Sequence, residues 1–168
     1  RRFRSHKGQR HYSGWYWSST MGRHLEYESR LELSRLLLAD FDPTVRGIAA
    51  QPFQWTGPDG GRVRAHVPDL LLVGAGGAVV VVDVKRPDLI EEPSVVAQFR
   101  WTRRVARSRG WGFEAWSGAA MPLLANVSFL AGYRRSRVTR VYSLMWRGPC
   151  ETPSHLGPWS GGWPERIR

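Results

Sequence analysis

Cysteine is nearly missing from this sequence, where Cys150 stands alone. One thiol cannot close an internal disulfide and matches no zinc-ligand spacing, so the expected setting is reducing and cytoplasmic, without a structural metal cage. Long apolar runs are missing too. The longest, Ala78 to Val82, is far too short to cross a bilayer, no signal segment is recognisable, and no membrane partner is expected. The chain opens at Arg1 rather than methionine, as a fragment or processed product would. No glycine-rich loop follows a first strand, which disfavours doubly wound nucleotide-binding folds, and no nucleophile elbow supports a Ser-His-Asp hydrolase. Lysine is scarce: only Lys7 and Lys85 accompany the arginines among 25 basic residues.

What is present is ordinary in amount and unusual in charge. At 168 residues and 19.1 kDa, 42% hydrophobic and 23% charged, the chain suits one globular domain rather than a disordered, collagen-like or coiled-coil protein. The net charge is +11 and the pI near 11.1. Three stretches carry arginine without an acid: residues 1–25, the five arginines from Arg100 to Arg109, and the block Arg134, Arg135, Arg137, Arg140 and Arg147. Such blocks neutralise phosphates, so a polyanionic partner outweighs the alternative of a merely solvated basic surface. In so arginine-biased a chain, a lysine at the end of a valine strand suggests a position that needs an ammonium, a compact charge that can also lose its proton.

The first 24 residues are basic and aromatic without apolar periodicity, and read as an arm that lies over the domain or grips a partner. From about Glu26 to Ala39, good helix formers with Leu33, Leu36 and Leu37 in a stripe predict a helix, ended by Asp42-Pro43. Residues 45–55 read as extended, with Pro52 at an edge or bend. GPDGG at 57–61 predicts a turn, RVRAHVPDLLLV a strand, GAGG a second turn, and AVVVVDVK a central strand. Residues 94–109 have helical spacing, WGFEAWSG reads as a strand, PLLANVSFLAGYRR as a helix, and VTRVYSLMW as strand or helix. The expected division is a basic aromatic arm at 1–25, one domain at 26–147 and a tail at 148–168. The expected class is α/β, a central mixed sheet with helices on both faces.

Chemistry concentrates in the central hairpin. Asp83 and Lys85 are two apart in a strand and share a face. If residues 74–78 form the connection, Val73 pairs with Val79 and Asp69 falls opposite Asp83; a four-residue loop would put the two acids on opposite faces. Two aspartates and a lysine on one face could be an ion pair with a spare carboxylate. A divalent cation explains the set better, because Mg²⁺ prefers hard oxygens, accepts one or two carboxylates, and keeps places for water and phosphate. His66 lies three residues before Asp69, a spacing of opposite strand parity, so packing or exposure is expected of it. The other histidines, among them His6, His11 and His24 in the basic arm, have no ligand spacing. Nine tryptophans could stack on bases, although cover for the sheet is the more ordinary role.

At VPDLLLV and VVVDVK the sequence resembles the PD-(D/E)xK nucleases, a superfamily with a restriction-endonuclease-like core that carries one acid on an opening helix and two acids plus a lysine on a central hairpin. More narrowly, YESRLELSRLLLADFDPTVRGIAAQP followed by those two strings is similar to the TnsA-like transposon endonucleases, over about Glu26 to Trp116. The resemblance implies Glu32 as the helix acid, Asp69 and Asp83 as the hairpin acids and Lys85 as the lysine. Glu28, one helical turn earlier, is a rival or a supporting residue, and Gln98 a supporting polar group. Both glutamates could equally be a helix face pairing with Arg35 or Arg30. Room for that family's second, winged-helix-like domain is lacking.

The function expected is that of a hydrolase: a metal-dependent DNA endonuclease using Mg²⁺ or Mn²⁺, with Glu32, Asp69 and Asp83 on the metal and Lys85 placing the attacking water. Arg100, Arg103, Arg104, Arg107, Arg134 and Arg135 are expected to hold the DNA backbone. By resemblance the partners include a transposase subunit and an ATPase regulator, with a homodimer left open. Rival readings are a stand-alone host or defence nuclease, a non-catalytic nucleic-acid-binding or assembly module on the same fold, and an RNA-binding protein.

Overall fold

The computed structural model describes residues 12–134. The third basic block beyond Arg134, the segment VTRVYSLMW and the tail lie outside them. Three helices, α1 (Arg30–Phe41), α2 (Pro93–Arg107) and α3 (Met121–Ala131), surround a mixed sheet. That sheet is built from β3 (Val45–Ala50), β6 (Leu70–Gly74), β7 (Val79–Val84) and β8 (Gly112–Trp116), in the order β3-β6-β7-β8. Its first three strands are antiparallel and β8 runs parallel to β7. Two separate hairpins complete the chain: β1 (Gly14–Ser18) with β2 (Arg23–Tyr27), and β4 (Trp55–Asp59) with β5 (Arg62–His66). None of the described helices is long and apolar enough to cross a membrane.

Strand parity divides the core. Leu70, Leu72 and Val82 face α1 and pack with Leu36, Ala39 and Ile48. Val81, between them in β7, faces the other way and packs with Trp101 and Ala106 of α2. A valine run buried on both faces is therefore what a central strand needs, and helices cover both faces of the sheet. Trp55, Trp101 and Trp111 likewise cover the α2 face, while Trp116 packs on the α1 side.

Two stretches read as single strands are each broken. Residues 45–55 split into β3 and the start of β4, and residues 62–73 into β5 and β6, with Pro68 buried at the second break. β4 and β5 form their own ribbon, tied to α2 where Trp101 Nε1 donates to the Pro58 carbonyl at 3.0 Å and Arg104 donates to Asp59 at 2.8 Å.

The segment read as an arm holds the β1–β2 hairpin, which lies over α1. Its anchor is Asp40, 1% exposed near the helix end. Burial opposes ionisation there, yet hydrogen bonds from Ser18 Oγ (2.6 Å), Thr20 N (2.9 Å) and Tyr16 Oη (2.8 Å) prevail and hold the carboxyl below its ordinary range. Arg134 adds a bond to the Asp40 carbonyl and stands over the Phe41 ring. Asp40→Asn replaces one accepting oxygen with a donor, leaves about half of these bonds without an acceptor, and is expected to lower the unfolding free energy by about 2–3 kcal/mol. The measurement is the urea midpoint at unchanged slope. Because the folded-state pKa is depressed, Asp40 stabilises above the unfolded value and loses that contribution in acid, so the deficit of the variant must shrink as pH falls.

Candidate active site

Hairpin register brings the acids together. Val73 pairs with Val79 and Leu70 with Val82, which sets Asp69 opposite Asp83. Residues 74–78, between the paired Val73 and Val79, close through Gly74 N to the Ala78 carbonyl (2.8 Å) and Gly77 N to the Gly74 carbonyl (2.9 Å). Gly77 has φ +80°, a conformation L side chains rarely adopt, so glycine holds the turn that sets the register.

Asp69 precedes β6. Its Oδ2 accepts from Val84 N across the hairpin at 2.6 Å, and its carbonyl accepts from Gln51 N at 2.9 Å. Gln51 stands at φ +44°, the single non-glycine residue of positive φ among those described, so the acid sits beside a locally strained backbone. Burial is the main reason the Asp69 carboxyl is pushed up to about 7; the Val84 hydrogen bond pulls against it, and the charges of Glu32 and Asp83 push the same way. Three carboxylates thus share one neighbourhood.

Glu32, whose charge acts on Asp69, is held in the first turn of α1 by a capping box. Ser29 Oγ accepts from Glu32 N at 3.1 Å, while the Glu32 carboxylate accepts from Ser29 Oγ (2.9 Å) and Glu28 N (2.8 Å). The helix consequently starts at Arg30, not at Glu26. Glu28 lies before the cap with an exposed side chain, so its expected place one helical turn from Glu32 is corrected. The arginines offered as partners for the glutamates are engaged elsewhere. Arg35 bonds Glu114 of β8 at 2.7 and 3.1 Å, and Arg30 lies over the Tyr12 ring.

Asp83 is 2% exposed. His66 Nε2 lies 2.8 and 2.9 Å from its two oxygens, and Gln98 Nε2 lies 2.9 Å from His66 Nδ1. The parity argument against His66 is overturned because β5 belongs to a different sheet, and the Val67-Pro68 break resets the direction of its side chains. A histidine followed at once by such a break was the signal available.

Lys85 lies one residue past the end of β7, where its backbone N donates to the Trp116 carbonyl at 2.9 Å. Its side chain is partly buried and makes no ion pair among the described residues. The simple aspartate–lysine pair is therefore not what the strand holds; Asp83 pairs with His66 instead.

The expected phosphate-binding arginines divide. Arg100, Arg103, Arg104 and Arg107 fall within about a 100° arc of α2, nearly opposite Gln98, at the helical ~100° per residue. Arg100, Arg104 and Arg107 are exposed, while Arg103 stacks on Phe113 at 5.5 Å. Arg134 is tied to Asp40, and Arg135 lies outside the described residues.

The donor chemistry fits a hard divalent cation. Two cross-strand carboxylates with the charge of a third acting on Asp69 make a donor set that a cation would neutralise, and burial holds the Asp69 carboxyl up to about 7. Asp69 and Asp83 would hold the ion, with Glu32 beside them. Among the described residues, no three His, Cys, Asp or Glu side chains form a ready ligand cage, so the fit is to a cation held by one or two carboxylates with water completing its shell. Comparison with protein-family models and with curated protein sequences finds no match to this chain.

Proposed function

We propose that this chain is a divalent-metal-dependent DNA endonuclease with a restriction-endonuclease-like core, of the kind that acts as the TnsA-like strand-cutting subunit of a heteromeric transposase. The observation that carries the reading is the hairpin register, which pairs Leu70 with Val82 and so carries the flanking Asp69 and Asp83 opposite one another, with Lys85 two residues on. The supporting arrangement is an opening helix that brings Glu32 into the electrostatic neighbourhood of that hairpin. When bound, Mg²⁺ or Mn²⁺ supplies Lewis-acid stabilisation of phosphate charge and a more acidic water. Asp69 and Asp83 orient that site, and burial of Asp83 excludes bulk water from its carboxylate. Lys85, unpaired within the described residues, is free to hold the attacking water or to stabilise charge on the phosphate. The exposed α2 arginines offer backbone contacts to DNA.

The test is supercoiled plasmid incubated with the whole chain. Nicked or linear product is expected with Mn²⁺ and none with EDTA. Binding without cleavage, alone and with any co-encoded transposase, would favour the non-catalytic module.

A further inference from the structure

Asp83 has a donor of its own at both oxygens. A carboxylate torsion is broad and roughly two-fold, so an isolated aspartate at a strand end would swing about its last bond. The His66 ring stands astride the two oxygens at 2.8 and 2.9 Å, with 12% of its side chain exposed against 2% for Asp83. The Gln98 amide nitrogen lies against the ring, 2.9 Å from Nδ1 and 3.4 Å from Nε2, while the acceptor-only carboxylate calls for a proton on Nε2. The carboxylate therefore selects a ring that carries its proton on Nε2. Three elements meet in this chain: β5 carries His66, α2 carries Gln98 and β7 carries Asp83.

We infer that His66, oriented by Gln98, is a positioning residue that fixes the Asp83 carboxylate in the orientation in which it meets a divalent cation. The inference rests on the reading of the cluster as a cation-dependent site. Each oxygen of Asp83 keeps a lone pair beyond the one taken by Nε2–H, so the ring orients the acid without using up its ligand capacity. Hydrogen-bond partners behind a ligating carboxylate tune affinity by about 10–100-fold, and His66 has the geometry of such a partner.

The experiment combines Mn²⁺ titration calorimetry on the whole chain with long-range ¹⁵N–¹H correlation of the metal-free protein, which reads the ring proton directly. The spectrum is expected to place the His66 proton on Nε2, and Gln98→Leu is expected to mix the tautomers and weaken Mn²⁺ several-fold. His66→Ala is expected to weaken Mn²⁺ about 10–100-fold, and His66→Gln, which restores an amide donor, to recover most of that loss. Thermal melts establish that each variant is folded; should His66→Ala not fold, Gln98→Leu carries the comparison, since it leaves β5 unchanged. Unchanged or tighter Mn²⁺ binding in the folded variants, or a proton on Nδ1, overturns the positioning role while the cation reading stands. A wild-type chain that binds no Mn²⁺ overturns the cation reading and the inference with it.

Discussion

Lys85→Ala is expected to reduce Mn²⁺-dependent plasmid cleavage by about a hundred- to ten-thousand-fold, the range for losing a positioned acid–base or charge-stabilising group. Its effect on stability should stay within about 1 kcal/mol, because no described carboxylate is left without a partner when the ammonium goes. Contrast Asp83, whose loss would strand the His66 donor. DNA binding should be retained, with the salt dependence of log K shallower by about 1 if the ammonium touches a phosphate. Lys85→Arg is not expected to restore cutting, since a guanidinium is broad, always charged and unable to exchange a proton near neutrality. Gel-shift titration beside single-turnover cleavage reads both quantities. Cleavage at the wild-type rate in Lys85→Ala would remove the lysine from the chemistry and leave the hairpin without its proposed role.

Asp69→Asn is expected to stabilise the metal-free fold at pH 8 and to do nothing for it at pH 4. The folded carboxyl is raised to about 7, burial being the largest cause, from its ordinary value of 3.8. Below the unfolded value both states hold the proton and no difference arises. As pH climbs from about 4 to about 7, the unfolded chain releases a proton that the folded chain keeps, so unfolding gains and stability falls; above about 7 the loss is complete. Three pKa units set a ceiling of about 4 kcal/mol, and the partial exposure of Asp69 points to about half of that. Asparagine keeps an oxygen for Val84 N while carrying no charge, and so removes the pH dependence. The same carboxylate should make the fold responsive to metal. Mn²⁺ is expected to raise the melting temperature of the wild type at pH 8, less so at pH 5 where a proton competes, and hardly at all in Asp69→Asn. Melting curves of both proteins across that pH range, with Mn²⁺ and with EDTA, decide the matter. A wild type whose stability rises from pH 5 to pH 8 without metal would contradict the sign.

Much of this geometry was legible because local physics writes it locally. The leucine stripe at 33, 36 and 37 marked a helix, and the capping box of Ser29 and Glu32 marks its start better than composition did, which is why Glu28 slipped onto a helix it does not join. Four valines between turn residues marked a central strand, and the strand is buried toward both helices. Other features had no local signature. Asp40 gathers donors from Tyr16, Ser18, Ser19 and Thr20, all about twenty residues away, and its neighbours give no hint of it. The β1–β2 hairpin shows no strict alternation of buried and exposed residues, which hides its strands in the sequence.

By itself the sequence determined the ingredients: a basic chain with one apolar hairpin, a helix before it, two acids and a lysine at the hairpin mouth, and a glycine at the position its turn demands. Side-chain periodicity and turn chemistry act over a few residues, so they can be read along the chain. The tertiary structure decided the choices that a single residue of slippage would reverse. It chose the register that faces Asp69 toward Asp83, turned β5 into a separate ribbon that carries His66 onto Asp83, and assigned Arg35 to Glu114 rather than to Glu32. Those outcomes depend on which distant surfaces bury each other, and that competition is settled only when the whole core packs.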